Sequence, residues 1–294
     1  MQHFFIITNP SKDPNLENTK KITSFLDQAG CTCKVQVRGE ADGRGEADGR
    51  GDAYTDAARI PSQTQCILVL GGDGTLIEAA RDTALLEIPL LGINLGSLGF
   101  LAEVEKSGIE GALQQLLEDR FSLERRMMLS GGVYRDGACL QNLHALNDIV
   151  ITRSGSMQII HFHVYVNGQF LNEYNADGVI LSTPTGSTGY NLSAGGPIVE
   201  PRAKLLVLTP ICPHTLNTRS IVLSAEDEVV IEMAEGKKKL PLQAEVNFDG
   251  GHGMALQTGD RILVRRSEKT TDIVKLNQVS FLEALHKKMS ENEV

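Results

Sequence analysis

The chain lacks a surplus of positive charge: 28 Lys and Arg stand against 37 Asp and Glu, a formal net charge of −9. That balance argues against broad binding of nucleic acid or of an anionic membrane surface. It also lacks any run approaching the roughly 20 apolar residues of a membrane span. Its start, "MQHFFIITNP", has neither a basic n-region nor an apolar stretch long enough for a secretory signal. A cytoplasmic location is the expectation. Cysteine is sparse: Cys31, Cys33, Cys66, Cys139 and Cys212 are odd in number and scattered, so a disulfide framework is not expected. The Cys31-x-Cys33 pair has no second Cys or His pair close by at zinc spacing. The P-loop pattern G-x-x-x-x-G-K-[ST] is missing too, which excludes that class of nucleotide enzyme.

What is present is enough chain, 294 residues, for one large or two medium domains. Residues 1–124 alternate strand and helix signals, the pattern of an α/β domain with parallel-sheet character. "HFFIIT", "CKVQV", "CILVL" and "PLLGI" read as its strands, and Ile22, Phe25, Leu26 and Ala29 mark a helix between the first two. Ser107 and Glu110 stand at capping-box separation ahead of Leu113, Leu116 and Leu117. After the second strand, "RGEADGRGEADGRGDA" gives a six-residue unit twice and then in part. It is too polar and glycine-rich for a core, so it reads as an expanded surface loop or as a lid. Residues 125–277 change to short strands, among them "HFHVYVNGQFL" with its Asn167-Gly168 hairpin signal, and predict a β-rich second domain. His161 and His163 alternate on one strand face, the mark of a half-exposed sheet. Residues 278–294 carry a last helix, opened by Ser280 and Glu283 as a capping box, that is expected to return to the first domain.

The stretch "LVLGGDGTLIEAA", residues 69–81, sets a carboxylate in a glycine loop between a buried strand and a helix. Thr75 and Glu78 stand at capping-box separation, and Leu76, Ile77, Ala80 and Ala84 recur at helical spacing. Free N–H groups and the helix dipole at such a turn attract phosphate. Asp73 would repel it, unless the acid holds a cation on the phosphate or takes a proton from a hydroxyl being phosphorylated. A second glycine stretch, "GINLGSLGFLAE", has Asn94 where a Rossmann fingerprint would need glycine. Its Phe100 fits either a base stack or the core. The richest stretch, residues 175–201, begins "NADG" and packs Ser182, Thr183, Thr185, Ser187, Thr188, Tyr190 and Ser193 among glycines and prolines. Such a density of hydroxyls suits a polar ligand, or a set of turns between strands. Asn147-Asp148, at the head of a strand-like run, can serve a base edge and a ribose diol or form a turn. His214 and His252 sit in polar loops.

Taken in order, "GGDGT", "GINLGSLGF", "LND", "DGVILSTPTGSTGYNLSAGGPI" and "LTPICPHTLNTR" resemble the NAD kinase family over nearly the whole chain. "GGDGT" alone is shared with diacylglycerol-type lipid kinases; the set is what discriminates. The resemblance implies transfer of the γ-phosphate of ATP to the 2′-hydroxyl of the adenosine ribose of NAD, with a divalent cation, Mg2+ or Mn2+. It implies Asp73 as general base and Gly71, Gly72, Gly74 and Thr75 as a phosphate loop. Gly74 and Phe100 would lie against the NAD, with Phe100 close to the adenine ring; Asn147 and Thr188 would hydrogen-bond that ring, and Asp148 would bind ribose hydroxyls. Asp177, Tyr190 and Ser193 would line the nicotinamide half, and Gly189 would also contact the NAD. Asp148 stands where the family usually has Glu, one methylene longer, which makes a bridging water plausible; Gly189 replaces a common alanine. The repeated loop has no counterpart in the family pattern. Dimers or tetramers are implied as well. The competing readings are a non-catalytic dinucleotide sensor and a lipid kinase of the diacylglycerol type, the latter opposed by the acidic balance.

Overall fold

The computed structural model describes residues 1–39, 55–96, 99–155, 158–215, 219–236, 242–277 and 279–291. The repeats from residue 40 to residue 54 lie outside the described residues. The chain divides into two units, Met1–Arg125 with Thr271–Val294, and Arg126–Thr270.

In the first unit, strands β1 (His3–Thr8), β2 (Thr32–Val37), β3 (Cys66–Gly71), β4 (Leu90–Asn94) and β5 (Val104–Glu105) pair side by side in the order β2-β1-β3-β4-β5. Every one of these pairings is parallel. β3 is buried along its length, as a strand covered on both faces must be. Helices α1 (Glu17–Gln28), α2 (Asp73–Asp82) and α3 (Ile109–Leu117) supply the connections. Ile22 and Leu26 of α1 and Leu113 and Leu116 of α3 share one core with Phe4, Leu68 and Ile93. The reversal of strand order lies between β1 and β3. In open α/β sheets, ligands bind at the carboxyl ends of the strands flanking such a reversal.

Two caps expected from the sequence are not made. α2 starts at Asp73, with Gly72 as its N-cap and no side-chain cap hydrogen bond. Thr75 is therefore the third helical residue, buried, and its Oγ1 accepts from Asn9 Nδ2 at 3.3 Å. Glu78 is ion-paired with Arg38. The helix ends at Asp82, so Ala84 belongs to a separate 3-10 turn. α3 likewise has Gly108, not Ser107, as its N-cap and no side-chain cap. α1 is anchored differently. Buried Asp13 accepts from the Asn18 and Thr19 amides at 3.0 and 2.9 Å, from Asn18 Nδ2 at 2.8 Å and from Thr19 Oγ1 at 2.7 Å.

The second unit is built from β6 (Ser122–Arg135, its first residues in the first unit), β7 (Ala138–Ala145), β8 (Asp148–Arg153), β9 (Ile160–Val166), β10 (Gln169–Ala176), β11 (Gly178–Ser182), β12 (Leu205–Ile211), β13 (Ile221–Ser224), β14 (Val229–Ala234), β15 (Ala244–Phe248), β16 (Gly251–Leu256) and β17 (Arg261–Lys275), with one short helix, α4 (Tyr190–Ser193). β10-β9-β14-β17 form one antiparallel layer and β13-β12-β11-β8-β15-β16 another. Between them lies one core in which Phe162, Val164 and Ile231 meet Ile149, Val179, Leu208 and Phe248. Burial alternates residue by residue along β9, β14 and β15, the two-residue period of strands with one dry face. His161 and His163 fall on the half-exposed face of β9, as expected. The Asn167-Gly168 hairpin is present, both residues at positive φ (50° and 76°), as its tight turn requires. The long strands β6 and β17 were not foreseen. "RILVRR" and "TDIVKL" are parts of one strand.

The chain then returns to the first unit. Ile273 pairs in parallel with Leu90, and Glu103 accepts from the amides of Leu276 and Asn277 at 3.2 and 2.8 Å while pairing with Lys275. The last helix, α5 (Phe281–Glu291), opens with the expected capping box: the Ser280 amide donates to Glu283 at 2.7 Å and the Glu283 amide to Ser280 Oγ at 3.2 Å. Phe281 meets Phe100, ring centroids 6.3 Å apart, and Lys288 Nζ lies 4.8 Å from the centre of the same Phe100 ring. Among the described residues no helix is long and apolar enough to cross a membrane.

Asp13 gives a direct test of how α1 is held. Burial pushes its carboxyl up, but the hydrogen bonds from Thr19 and Asn18 outweigh that and leave it below the ordinary carboxylate value. A depressed carboxyl contributes stability that is present above the unfolded-state value and is lost as pH falls through the folded one. Asp13→Asn is expected to cost about 2 kcal/mol at neutral pH and to lose less stability than the parent on acidification, as measured by denaturant unfolding.

Candidate active site

Asp73 heads α2, where the chain leaves β3. Its carboxylate faces the backbone that follows β4. Oδ2 accepts from the Phe100 amide at 2.6 Å, and Oδ1 from the amides of Leu101 and Ala102, each at 3.2 Å. A carboxylate has about four acceptor positions, so roughly one stays open for a further proton. Gly99 is required by this arrangement, since a Cβ there would fall 1.8 Å from Asp73 Oδ1. Gly71 is required by Thr75, whose Oγ1 would lie 2.4 Å from a Cβ at that position. Gly72 and Gly74 are different. A Cβ on either would meet nothing within 4 Å, and neither has positive φ. Among the described residues neither packing nor backbone strain demands glycine there, so the main chain at both positions is open to close approach. Phe100 is half-buried, with its ring beside Phe281 at the start of α5.

In the second unit, Asn147 and Asp148 stand at the entry to β8. Asp249 collects their amides at 2.8 and 3.0 Å, and that of Leu146 at 2.7 Å. Asp249 and Gly250 are the positive-φ pair (51° and 70°) of the turn between β15 and β16. Asn147 O accepts from the Thr183 amide at 2.8 Å, and its backbone presses on Gly186, where a Cβ would come within 2.3 Å of that oxygen. Asn147 Nδ2 lies 3.3 Å from the position of a Cβ on Gly189. The side-chain oxygen of Asn147 is buried and has no hydrogen-bond partner among the described residues. A buried acceptor without a donor is costly, and an amino group of a bound ligand would relieve it. Asp148 is 6 % exposed. Burial first, and then the charge of Asp249, push its carboxyl up to about 8.

The hydroxyl-rich stretch is more than a set of turns. Residues 185–188 form a 3-10 turn, α4 follows, and Ala194 packs against Val150, Ile180 and Ile211 on the outer face of the β8–β11–β12 layer. This covers β11 on its second side, which is why "GVILS" is buried throughout. One residue missed in the sequence, Asn191, holds the stretch together. Fully buried, it donates to Ser187 O and Pro197 O at 3.1 and 3.0 Å and accepts from Thr209 Oγ1 at 2.7 Å. Ser182, Thr183 and Ser187 are buried, the first two with their hydroxyls donating to the Asn147 and Leu146 carbonyls, whereas Thr188 and Gly189 are partly open and Tyr190 and Ser193 exposed. The hydroxyls thus divide into a structural set and an outward set. Asp177, ahead of β11, is paired with Arg153 at 2.8 Å. His214 donates its amide to Asn175 O at 2.8 Å; the side chain of His252 lies outside the described residues.

Residues 4–121 match the family model described as the ATP-NAD kinase N-terminal domain, and residues 146–276 the ATP-NAD kinase C-terminal domain. The NAD kinase of Lachnospira eligens is 45% identical over 298 residues, covering 98% of this chain and 100% of its own. That of Agathobacter rectalis is 46% identical over 289 residues, covering 98% and 99%. Among solved structures, yeast NADH kinase complexed with NADH superposes with a TM-score of 0.84 at 25% identity, covering 100% of this chain and 89% of that one. An NAD kinase from Archaeoglobus fulgidus in complex with ATP gives 0.74 at 23% identity, covering 97% and 98%, a likeness of fold. The chain belongs to the NAD kinase family, enzymes that phosphorylate NAD at the expense of ATP.

Proposed function

We propose that Asp73 is the general base of this kinase. It takes the proton of the 2′-hydroxyl of the adenosine ribose of NAD as that oxygen bonds to the γ-phosphorus of ATP, the bond to the bridging oxygen breaks, and ADP leaves. The observation that carries the reading is the setting of the acid: a carboxylate fixed by three amides, between two glycines whose surroundings are open to a ligand. An unperturbed carboxylate is a weak base, so its help comes late in the transition state, and positioning contributes most of the rate. Gly71, Gly72, Gly74 and Thr75 form the phosphate loop at the N-terminus of α2.

The NAD side of the proposal rests on the unpartnered oxygen of Asn147, which suits the amino group of adenine; the family resemblance adds Thr188 and Phe100 for the same ring. Asp148 serves the ribose, and Gly74, Asp177, Gly189, Tyr190 and Ser193 complete the site. The NADH bound by the yeast relative supports a dinucleotide on this fold, and the ATP bound by the archaeal one supports that nucleotide. Among the described residues no group of three or more His, Cys, Asp or Glu stands together as a metal cage. The residues present therefore fit Mg2+ or Mn2+ as an ion carried on substrate phosphates, with Asp73 the carboxylate at hand. Such an ion neutralises phosphate charge. A cytoplasmic homo-oligomer, dimer or tetramer, belongs to the same proposal, on the strength of the family resemblance.

Two measurements test these roles. Asp73→Asn is expected to lower NADP formation from NAD, ATP and magnesium by about 10²–10⁴-fold while NAD still binds. Folded parent protein that binds NAD but turns over with no phosphoryl donor would favour the sensor reading instead. For Asp148 the sign is the opposite of that for Asp13. A carboxyl held above its unfolded value contributes stability that is complete below about pH 4 and is lost as pH rises through about 8. The melting temperature of the parent should therefore fall between about pH 5 and about pH 8 by more than that of Asp148→Asn, and level off above that. Equal slopes would place the titration elsewhere.

A further inference from the structure

The first unit contains a cavity of about 790 Å³ that neither the phosphate loop nor the dinucleotide residues line. It lies at the carboxyl edge of the sheet, between α1, the end of β4 and the start of α3. Its size falls in the range of small-molecule sites. Its floor is apolar: Phe25, Leu95 and Leu113 face it and pack on the domain core. Two carboxamides, Asn18 and Asn94, stand at its wall. Asn18 is 4 % exposed and spends its Nδ2 on Asp13, while its side-chain oxygen has no donor among the described residues. Lys21 and Lys106 approach from α1 and from the turn before α3. No carboxylate is paired with either among the described residues.

We propose that this cavity is an effector site for a nucleoside monophosphate. A flat base suits the Phe25 floor, and its donor edge suits the free oxygen of Asn18. One phosphate suits the two lysines, with the N-terminal amides of α3 beside Lys106. Glu105 and Glu110 also line the cavity, so the lysines leave it no net positive charge, and a ligand with one phosphate is opposed less than one with three.

Occupancy would reach Asp73 through a short run of chain. Phe100, Leu101 and Ala102 grip the Asp73 carboxylate. The next residues enter β5, where Val104 and Glu105 pair with Ile93 and Asn94. Asn94, Glu105 and Lys106 line the cavity. A ligand that shifts or stiffens β5 therefore acts on the residues that hold the acid. Tight packing leaves little slack, because a Cβ on Gly92 would come 2.9 Å from Ala102 Cα.

The test is calorimetric titration of AMP into the full chain saturated with NAD and a non-hydrolysable ATP analogue, with adenosine, inorganic phosphate and ADP as parallel probes. The expected result is saturable AMP binding, tighter than any of the other three, and weakened about tenfold or more in the double variant Lys21→Glu, Lys106→Glu. The variant should keep the parent's KM for NAD and for ATP, while the effect of AMP on kcat disappears. This readout is binding at residues that do not include Asp73, so it stands whether or not the base assignment survives. Absence of AMP binding to the blocked protein would overturn the proposal, as would binding that the double variant leaves unchanged.

Discussion

Asp73 accepts from three consecutive backbone amides, Phe100 to Ala102, and Asp249 does the same for Leu146 to Asp148. Asp13 and Glu103 each take two consecutive amides, at the start of α1 and at the return of the chain after β17. The irregular segments of both units are held this way. A loop has no ladder partner for its N–H groups, yet each must find an acceptor if it is to be buried. One ionised carboxylate can satisfy several amides at once, and charge-assisted bonds are the stronger kind. The acids therefore fix loops that sheet and helix hydrogen bonding cannot reach.

This has a consequence for chemistry. A carboxylate that anchors a loop is itself anchored, so Asp73 is oriented before any substrate arrives. Preorganisation of that sort is what a positioned base needs, since the reacting atoms must meet within hydrogen-bond reach. The glycines follow from the same geometry. Gly99, Gly186 and Gly196 are forced by atoms of this chain, Asp73, Asn147 and Asn191 respectively, lying where a Cβ would go. Gly72 and Gly74 are forced by nothing among the described residues. Glycine patterns in the sequence mix these two causes, and only the structure separates them.

Much of the local architecture was legible in the sequence because its causes are local. The strands of the first unit are apolar runs, α1 has a clean helical stripe, and Ser280 with Glu283 does cap α5. Thr75 with Glu78 has the same spacing and makes no cap, because Asn9 and Arg38, distant in sequence, claim the two side chains. The roles of Asp249 and Asn191 depend on partners from 103 residues to 4 residues away, and no periodicity reports such contacts. An Asp-Gly pair between two alternating strands signals the hairpin at Asp249. It does not signal where the carboxylate points.

Asp148 shows how the two levels combine. Position 148 packs beside Asp249, whose charge is committed to the three amides, so a second ionised carboxylate there would be opposed by burial and by its neighbour. Neutral, Asp148 becomes a hydrogen-bond donor as well as an acceptor. A sugar hydroxyl can meet either role, and a neutral acid spares the pyrophosphate of a dinucleotide an added repulsion. The same acid ionised would accept only. Asp249 thus does two things at once: it fixes the main chain of Asn147 and Asp148, and its charge adds to burial in pushing the Asp148 carboxyl up.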